Sequence, residues 1–311
     1  MSGLIEQAAR RLEQLREAGV EIPDTPPARI PLGTREVAPL QRVAPEPVKT
    51  PAQPVPTSRH IELDIAALAA AGIITPNAPR SRLADQYRVI KRPLIRNATG
   101  KGAAVLKHGN LIMVTSALAG EGKSFTAVNL AMSIAAERDH TVMLVDADVA
   151  RPSVPRMLGF PPGPGLLDVL LGSVEMSSVL LRSDIDKLTL LPSGTPHPRA
   201  TELLASDAMG RLLDDIANRY ADRIVIFDSP PLLLTTEARV LATHMGQVVV
   251  VVQADKTLQA EVDRALATIE ACPVRLMLLN QARAQVEGAY GYGYGYGYGE
   301  EYGYGRQQPA G

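Results

Sequence analysis

The chain has 311 residues, of which 46% are hydrophobic and 21% charged, and its formal net charge at pH 7 is −1. This length and hydrophobic content suit one α/β domain of about 220 residues with extensions at both ends. The near-neutral charge, without a dense cluster of Lys or Arg, argues against nucleic acid as a partner. The single cysteine excludes an intramolecular disulfide framework, and no stretch reaches the roughly 18 to 20 apolar residues that cross a bilayer.

The N-terminal part divides into a helix and a linker. Residues 1–19 predict a short amphipathic helix that Gly19 ends. Its apolar stripe consists of Leu4, Ile5, Ala8, Leu12 and Leu15. Both signs of charge are mixed through this helix, whereas a secretory signal has an uninterrupted apolar region, so we expect a cytoplasmic protein. The stripe is expected to dock on its own domain or on a partner, with a membrane surface as the alternative. Residues 20–58 contain ten prolines and predict a semi-extended linker.

Residues 59–285 predict one domain with a parallel sheet, because apolar strands alternate with helical patterns. The predicted strands are "LIMVTS" (111–116), "TVMLVDAD" (141–148), "KLTLLPS" (187–193), "RIVIFDS" (223–229), "QVVVVVQ" (247–253) and "VRLMLLN" (274–280). In such a sheet the ligand lies at the carboxyl ends of the strands. The polar residues that follow these apolar runs are therefore the candidate site.

The stretch "ALAGEGKS", which follows the first predicted strand, matches the phosphate-binding loop with Ala117 in place of its first glycine. A helical pattern comes next, so the order is strand, loop and helix, in which backbone N–H groups and the helix N-terminus bind phosphate. Lys123 would reach the β- and γ-phosphates, and Ser124 would ligate Mg²⁺. The expected nucleotide-binding residues are Ala119, Gly120, Glu121, Gly122, Lys123, Ser124 and Phe125. A chance match in a glycine-containing turn is the alternative.

Carboxylates follow two further predicted strands. Asp146 and Asp148 end the second strand in "LVDADVARP", and Asp228 ends the fourth in "IFDSPP". A triphosphate with Mg²⁺ needs oxygen ligands or acceptors for the waters of the metal, and these three side chains are the candidates. The alternative is that they are ordinary aspartates that cap helices.

Residues 286–311 form a low-complexity tail that places seven of the nine tyrosines of the chain within 15 residues. Within residues 290–305, glycine at nearly every second position makes a poor strand, and no aliphatic side chain is available for a core. We therefore expect a flexible tail with accessible hydroxyl groups. The tyrosines are Tyr290, Tyr292, Tyr294, Tyr296, Tyr298, Tyr302 and Tyr304.

The phosphate loop, the two aspartate motifs and the terminal tyrosine cluster together resemble the bacterial tyrosine kinases of capsule and exopolysaccharide systems. These kinases are related to the MinD/ParA ATPases, and the resemblance covers roughly residues 80–305. It implies a P-loop NTPase fold of the MinD/ParA type, with a mostly parallel central sheet flanked by helices. The N-terminal helix, the linker and "IELDIAALAAAGIITP" are similar to the branch found with exosortase-linked exopolysaccharide loci.

The resemblance also implies roles for individual residues, with ATP and Mg²⁺ as the ligands. The implied catalytic residues are Lys123, Asp146, Asp148 and Asp228. Among them Asp146 would be the base for the tyrosine hydroxyl and Asp228 the Walker B carboxylate. Ser124, Asp148 and Asp228 would serve the metal, and Asn280 would contact adenine. The tail tyrosines would be the phosphate acceptors.

Partners are implied in the same way. A helix motif that mediates ring-like self-association in this family corresponds to Asp85, Arg88 and Lys91 in "DQYRVIKR", so a homo-oligomer with phosphate transfer in trans is expected. A separate membrane-embedded polysaccharide co-polymerase is expected as activator, which would hold the protein peripherally at the inner membrane. A protein-tyrosine phosphatase is expected to reverse the reaction, and no nucleic acid is expected.

Three features depart from the pattern of the family. The second motif usually reads Asp-x-Asp-x-Arg, but Ala150 stands here at the arginine position and Arg151 follows. Lys91 replaces the last arginine of the helix motif, and lysine lacks the fork geometry of arginine. The loop "PSGTPHPRATELL" lacks the usual Pro-Asn-Pro.

Two other functions remain open. A MinD/ParA-type ATPase switch would need no tyrosine tail, and it would place a second lysine where this chain has Leu118. A nucleotide-gated scaffold for the membrane co-polymerase would bind ATP without depending on transferase activity. Ordinary solvated charges are the alternative for the helix motif.

Overall fold

The computed structural model describes residues 59–76, 78–219 and 223–282. Its strands are β1 (Arg59–Ile61), β2 (Leu111–Ser116), β3 (Thr141–Asp146), β4 (Leu181–Ser183), β5 (Leu188–Leu191), β6 (Arg223–Asp228), β7 (Gln247–Gln253) and β8 (Arg275–Asn280). Its helices are α1 (Ile65–Ala70), α2 (Arg82–Ala98), α3 (Lys123–Ala135), α4 (Val154–Leu158), α5 (Leu166–Leu170), α6 (Met176–Val179), α7 (Ala200–Leu204), α8 (Asp207–Arg219), α9 (Thr236–Ala242) and α10 (Gln259–Ala267).

In the described ranges the strands form one eight-stranded sheet in the order β1-β4-β5-β3-β6-β2-β7-β8. Every neighbouring pair is parallel except β4 and β5, which are antiparallel. The strands β3 and β2 both flank β6, and the register aligns Asp146 with Asp228. The phosphate loop and the aspartate motifs therefore lie together at the carboxyl ends of these central strands.

The central strands are buried on both faces, as their continuous apolar sequences predict for a parallel sheet. All six residues of β2 are buried. Met113 packs in the apolar cluster on one face, whereas Ile112 and Val114 pack in the cluster on the other. This two-sided burial fixes the strand ends from which the site residues project.

The helix α3 starts directly at the phosphate loop and is apolar around most of its surface. Ten of its thirteen residues are buried, because the sheet lies on one side and α2 covers another. Lys91 of α2 is only 4% exposed, and its ammonium donates to the carbonyl of Ser133 at 2.5 Å and pairs with Glu137 at 2.7 Å. A cation at the C-terminal end of α3 complements the helix dipole.

The structure confirms the mostly parallel sheet flanked by helices. The bounds of β2 and β7 agree with the predicted runs, but β3 ends at Asp146 rather than at residue 148. A turn begins there, in which the N–H of Arg151 donates to the carbonyl of Asp148 at 3.1 Å. The strands β1 and β4 were not predicted, because three residues are too few to display a period of two.

Two predicted segments at the N-terminus, the helix 1–19 and the linker 20–58, lie outside the described residues, as does the tail 286–311. These segments and the domain bounds drawn from them stay predictions. Among the residues that the structure does describe, no helix combines the length and the apolar character needed to span a bilayer.

Candidate active site

The phosphate loop connects β2 to α3 through two glycines in the left-handed region of backbone space. Gly120 has a φ of 88° and Gly122 a φ of 91°, which residues with a Cβ rarely adopt. A Cβ on Gly122 would also lie 2.1 Å from Nδ2 of Asn280. Both the conformation and the close approach of β8 therefore require glycine at position 122.

Lys123 and the three predicted aspartates meet at this loop. The Nζ atom of Lys123 donates to Oδ2 of Asp148 at 2.7 Å and lies 3.8 Å from Oδ1 of Asp228. Burial alone would lower the pKa of Lys123, but the negative charges of Asp228, Asp148 and Asp146 outweigh it and raise the pKa. The lysine is therefore a fixed positive charge at the carboxyl ends of β3 and β6.

Asp146 is fully buried and accepts two backbone hydrogen bonds at the start of α4. Its Oδ2 atom accepts from the N–H groups of Ser153 and Val154, both at 3.0 Å, while Oδ1 has no hydrogen-bond partner. Burial raises the pKa of Asp146 to about 7, with further contributions from the charges of Asp228 and Asp148. A carboxylate poised near neutral pH has the affinity for protons that a general base needs.

Asp228 lies beside Asp146 and is equally buried. Its Oδ2 atom accepts from the hydroxyl of Ser153 at 3.3 Å. Burial raises its pKa to about 6, although the charge of Lys123 opposes that shift. Ser153 thus links both carboxylates through its backbone and its side chain.

These residues fit a magnesium nucleotide, although they do not form a self-sufficient metal site. Within the described ranges, no group of three or more His, Cys, Asp or Glu side chains is arranged to hold a metal ion. Oδ1 of Asp146 and Oδ1 of Asp228 are nevertheless buried without hydrogen-bond partners, and such carboxylate oxygens suit metal-bound water. This arrangement fits Mg²⁺ that would be held mainly by the phosphates of the nucleotide and by a loop hydroxyl such as that of Ser124.

Asn280 also joins the loop, because its Nδ2 atom donates to the backbone carbonyl of Glu121 at 2.9 Å. Its predicted contact with adenine stays a prediction. Phe125 follows the loop and lies close to Gly72, which comes after α1.

The remaining predicted positions lie outside this cluster. Ala150 and Arg151 are exposed in the turn after β3. The loop after β5 is held by Asp168, whose Oδ2 atom accepts from the N–H of Thr195 at 2.9 Å. In α2, Asp85 and Arg88 pair with each other at 2.5 Å on the exposed surface.

Lys91, the third residue predicted for self-association, is turned into its own subunit toward Glu137 and is not available at the surface. The lysine is therefore a link between α2 and α3. Self-association through α2 stays a prediction that must rely on its exposed residues.

Sequence reasoning missed two contributors to the site. Ser153 contacts both buried carboxylates, and Thr257 donates its hydroxyl to Glu121. Ser153 stands just before the proline-containing start of a helix, a signal for a cap, although here its N–H is itself held by Asp146. Thr257 carries no local signal, because its partner lies 136 residues away along the chain.

Comparison with known proteins independently supports a P-loop NTPase domain. A family model described as ParA, NUBPL iron-transfer P-loop NTPase, matches residues 107–279. The tyrosine-protein kinase YwqD of Bacillus subtilis (strain 168) is 32% identical over 221 residues, which cover 70% of this chain and 90% of YwqD.

Two further similarities point in the same direction. The succinoglycan biosynthesis transport protein ExoP of Rhizobium meliloti (strain 1021) is 32% identical over 187 residues, or 59% of this chain, but the match spans only 23% of ExoP. The crystal structure of the chimerical protein CapA2B2 superposes with a TM-score of 0.56 at 26% identity, covering 71% of this chain and 93% of that chain. The chain therefore belongs to the ParA-type P-loop NTPases and, among them, to the family of bacterial tyrosine-protein kinases.

Proposed function

We propose that the protein is an ATP-dependent tyrosine autokinase that phosphorylates its own C-terminal tyrosine cluster. The observation that carries this proposal is the convergence of Lys123 with Asp146, Asp148 and Asp228 at the phosphate loop of a chain that also bears the tail. A P-loop alone supports any nucleotide-dependent function. The tyrosine cluster and the similarity to YwqD favour tyrosine as the acceptor.

Binding of ATP would use the backbone N–H groups of the loop and the ammonium of Lys123. The bond between Lys123 and Asp148 must then be shared with or exchanged for a phosphoryl oxygen. Mg²⁺ would supply positive charge to the phosphates, and Ser124, Asp148 and Asp228 are the residues that would hold it or its waters. Lys123 would stabilise the charge that develops on the transferring group.

Transfer requires a tyrosine hydroxyl in line with the γ-phosphorus. The phenol proton passes to Asp146, a bond forms between the phenolic oxygen and the γ-phosphorus, and the bond from that phosphorus to the β,γ-bridging oxygen breaks to release ADP. The raised pKa of Asp146 suits this role. Since Asp146 is fully buried, the residues that cover its carboxylate must move for the hydroxyl to reach it.

The tail suits the role of substrate because of its composition. Glycine leaves each hydroxyl accessible, and a segment of about 15 such residues has a span of roughly 20 Å, enough to approach a neighbouring subunit. Each phosphate adds about −1.5 to −2 charges, so seven would add on the order of −10 to −14. Repulsion of this size would loosen an oligomer within which the transfer takes place in trans.

We further propose that this reaction regulates exopolysaccharide polymerisation or export. The name of ExoP supports that process. A separate membrane-embedded co-polymerase would activate the kinase and keep it peripherally at the inner membrane, and a protein-tyrosine phosphatase would reset the tail. An exosortase-linked locus is the setting that the N-terminal sequence favours.

The test combines two readouts on the purified chain. With ATP and Mg²⁺, wild-type protein is expected to gain phosphotyrosine, and Lys123→Met should lose it by a factor of at least about 10³ because a transition-state charge is removed. An ATPase switch would instead hydrolyse ATP without forming phosphotyrosine, and that result would refute the kinase. Restoration of normal polysaccharide output in cells by Lys123→Met would favour the scaffold.

A further inference from the structure

The phosphate loop contains a buried carboxylate, Glu121, which is only 2% exposed. A negative charge in a loop that must hold polyphosphate opposes the ligand unless neighbouring groups neutralise it or hold it away. Its surroundings therefore bear on how well the loop can bind a nucleotide.

Both carboxylate oxygens of Glu121 are hydrogen-bonded within the protein. Oε2 accepts from the N–H of Leu118 at 2.6 Å, across the loop itself. Oε1 accepts from the hydroxyl of Thr257, which lies between β7 and α10, and the N–H of Gln253 lies 3.5 Å away. The backbone carbonyl of Glu121 accepts from Asn280 at the end of β8.

These contacts determine which loop groups remain available to phosphate. The N–H of Leu118 is directed to Glu121, so the backbone donors available to phosphate come from residues later in the loop. The hydroxyl of Thr257 is itself held in place, since its Oγ1 atom accepts from the N–H of Gln253 at 3.2 Å. Among the contacts that the structure describes, Thr257 supplies the one side-chain donor to this carboxylate.

We infer that Glu121 is a positioning residue of the nucleotide site and that Thr257 is its partner. The pair fastens the phosphate loop to the loop between β7 and α10, and it holds the N–H groups of the phosphate loop in their binding arrangement. This role in nucleotide binding does not depend on the proposed kinase function. Only an effect of the pair on phosphate transfer would rest on it. Loss of the hydroxyl would leave a buried carboxylate oxygen without its side-chain donor, so the loop would rearrange to solvate it.

The test measures the dissociation constant of ADP by titration calorimetry, a readout that requires no kinase activity. Thr257→Val is expected to weaken binding roughly tenfold, because an isosteric side chain removes one hydrogen bond to a charged group. Thr257→Ser keeps the hydroxyl and should stay within about twofold of wild type. Thr268→Val is the matched control, since among the described contacts the hydroxyl of Thr268 bonds only to the carbonyl of Ala265, near the end of α10.

Thermal unfolding without nucleotide separates positioning from general damage. The Tm of Thr257→Val should resemble that of Thr268→Val, whereas its gain in Tm on adding ADP should be smaller. Thr257→Ala is the second variant if the valine side chain prevents folding. Equal ADP affinity in wild type and in every folded variant that lacks the hydroxyl would overturn the inference.

A double-mutant cycle with Glu121→Gln identifies the partner. If the two residues act through each other, Thr257→Val should cost much less ADP affinity in the Glu121→Gln background than in wild type. Additive losses would show that Thr257 acts elsewhere and would contradict the pairing. A chain that shows this coupling but forms no phosphotyrosine would refute the kinase proposal and leave the pairing intact.

Discussion

Asp146 shows how burial converts an ordinary strand-end carboxylate into a group that titrates near neutrality. The sequence placed it at the correct sheet edge, because an aspartate after a buried parallel strand must project there. The sequence did not indicate that its Oδ2 atom would hold the N–H groups of Ser153 and Val154, since those contacts depend on the turn after β3. Its proposed function as base and its effect on stability are linked through the same raised pKa.

We predict that Asp146→Asn changes how stability depends on pH. The folded-state pKa is about 7, above the unfolded value of about 3.9, so the folded chain binds this proton more tightly. The stabilisation that this proton provides is complete below the unfolded pKa and disappears as pH rises toward 7. The variant lacks this titration, so urea unfolding should show it gaining on the order of 2 kcal/mol relative to wild type between pH 5 and pH 8. An offset from wild type that is equal at both pH values would contradict the assignment.

Gly122 must be glycine for two reasons, its own backbone conformation and the close approach of Asn280 from the distant strand β8. We predict that Gly122→Ala weakens ADP binding at least about tenfold, because its Cβ would collide with Asn280 and its φ of 91° disfavours alanine. Gly172→Ala is the control, since Gly172 has a φ of 69° but nothing within 4 Å of the added Cβ. Equal ADP affinity in the two variants would argue against the contact with Asn280.

Among the helices and strands, the contact between α2 and α3 was predicted least well from the sequence. The motif in α2 predicted three charges for a partner subunit, yet Lys91 faces the end of α3. Periodicity indicates which face of a helix is apolar, but a long lysine side chain can bury its stem and reach a carboxylate from that face. By contrast, the order of strand, loop and helix around the P-loop was predictable, because phosphate binding requires it.

We predict that Lys91→Met lowers the free energy of unfolding by about 2 kcal/mol, less than a fully buried pair would cost, since the side chain of Glu137 is 22% exposed. Burial alone would raise the pKa of Glu137, but the hydrogen bond from Lys91 and the charges of Lys91 and Arg92 together outweigh burial and lower this pKa. The stabilisation is therefore present above the unfolded value of about 4.3 and is lost as pH falls through the folded pKa. The difference from wild type should therefore shrink in acid.

The control is Arg88→Ala, which removes an exposed pair and should cost no more than about 1 kcal/mol. Equal losses in both urea titrations would rule out the buried link.

At the level of the whole molecule, the sheet and the location of the site at the carboxyl ends of its strands were predicted from alternating apolar runs. The tail was interpreted from its composition alone. The short strand β4 and the contact of Thr257 with Glu121 were not predictable, because each depends on packing between distant segments. The tail lies outside the described residues, so its proposed function as substrate is inferred from its hydroxyl groups and their expected reach.

Transfer between subunits can be tested by mixing two incomplete chains. One carries Lys123→Met with an intact tail, and the other is wild type but ends at residue 285. If one subunit phosphorylates another, phosphotyrosine should appear on the Lys123→Met chain only in the mixture. Absence of label in the mixture, with robust labelling of wild-type protein, would indicate transfer within one chain.

The central claim is that the tail is the substrate of its own catalytic domain, and mass spectrometry of the purified chain tests it most directly. After incubation with ATP and Mg²⁺, wild-type protein should gain several phosphates that all map to Tyr290–Tyr304. A variant with those seven tyrosines changed to Phe should gain none while still binding nucleotide. An unmodified wild-type tail on a chain that hydrolyses ATP would contradict the account.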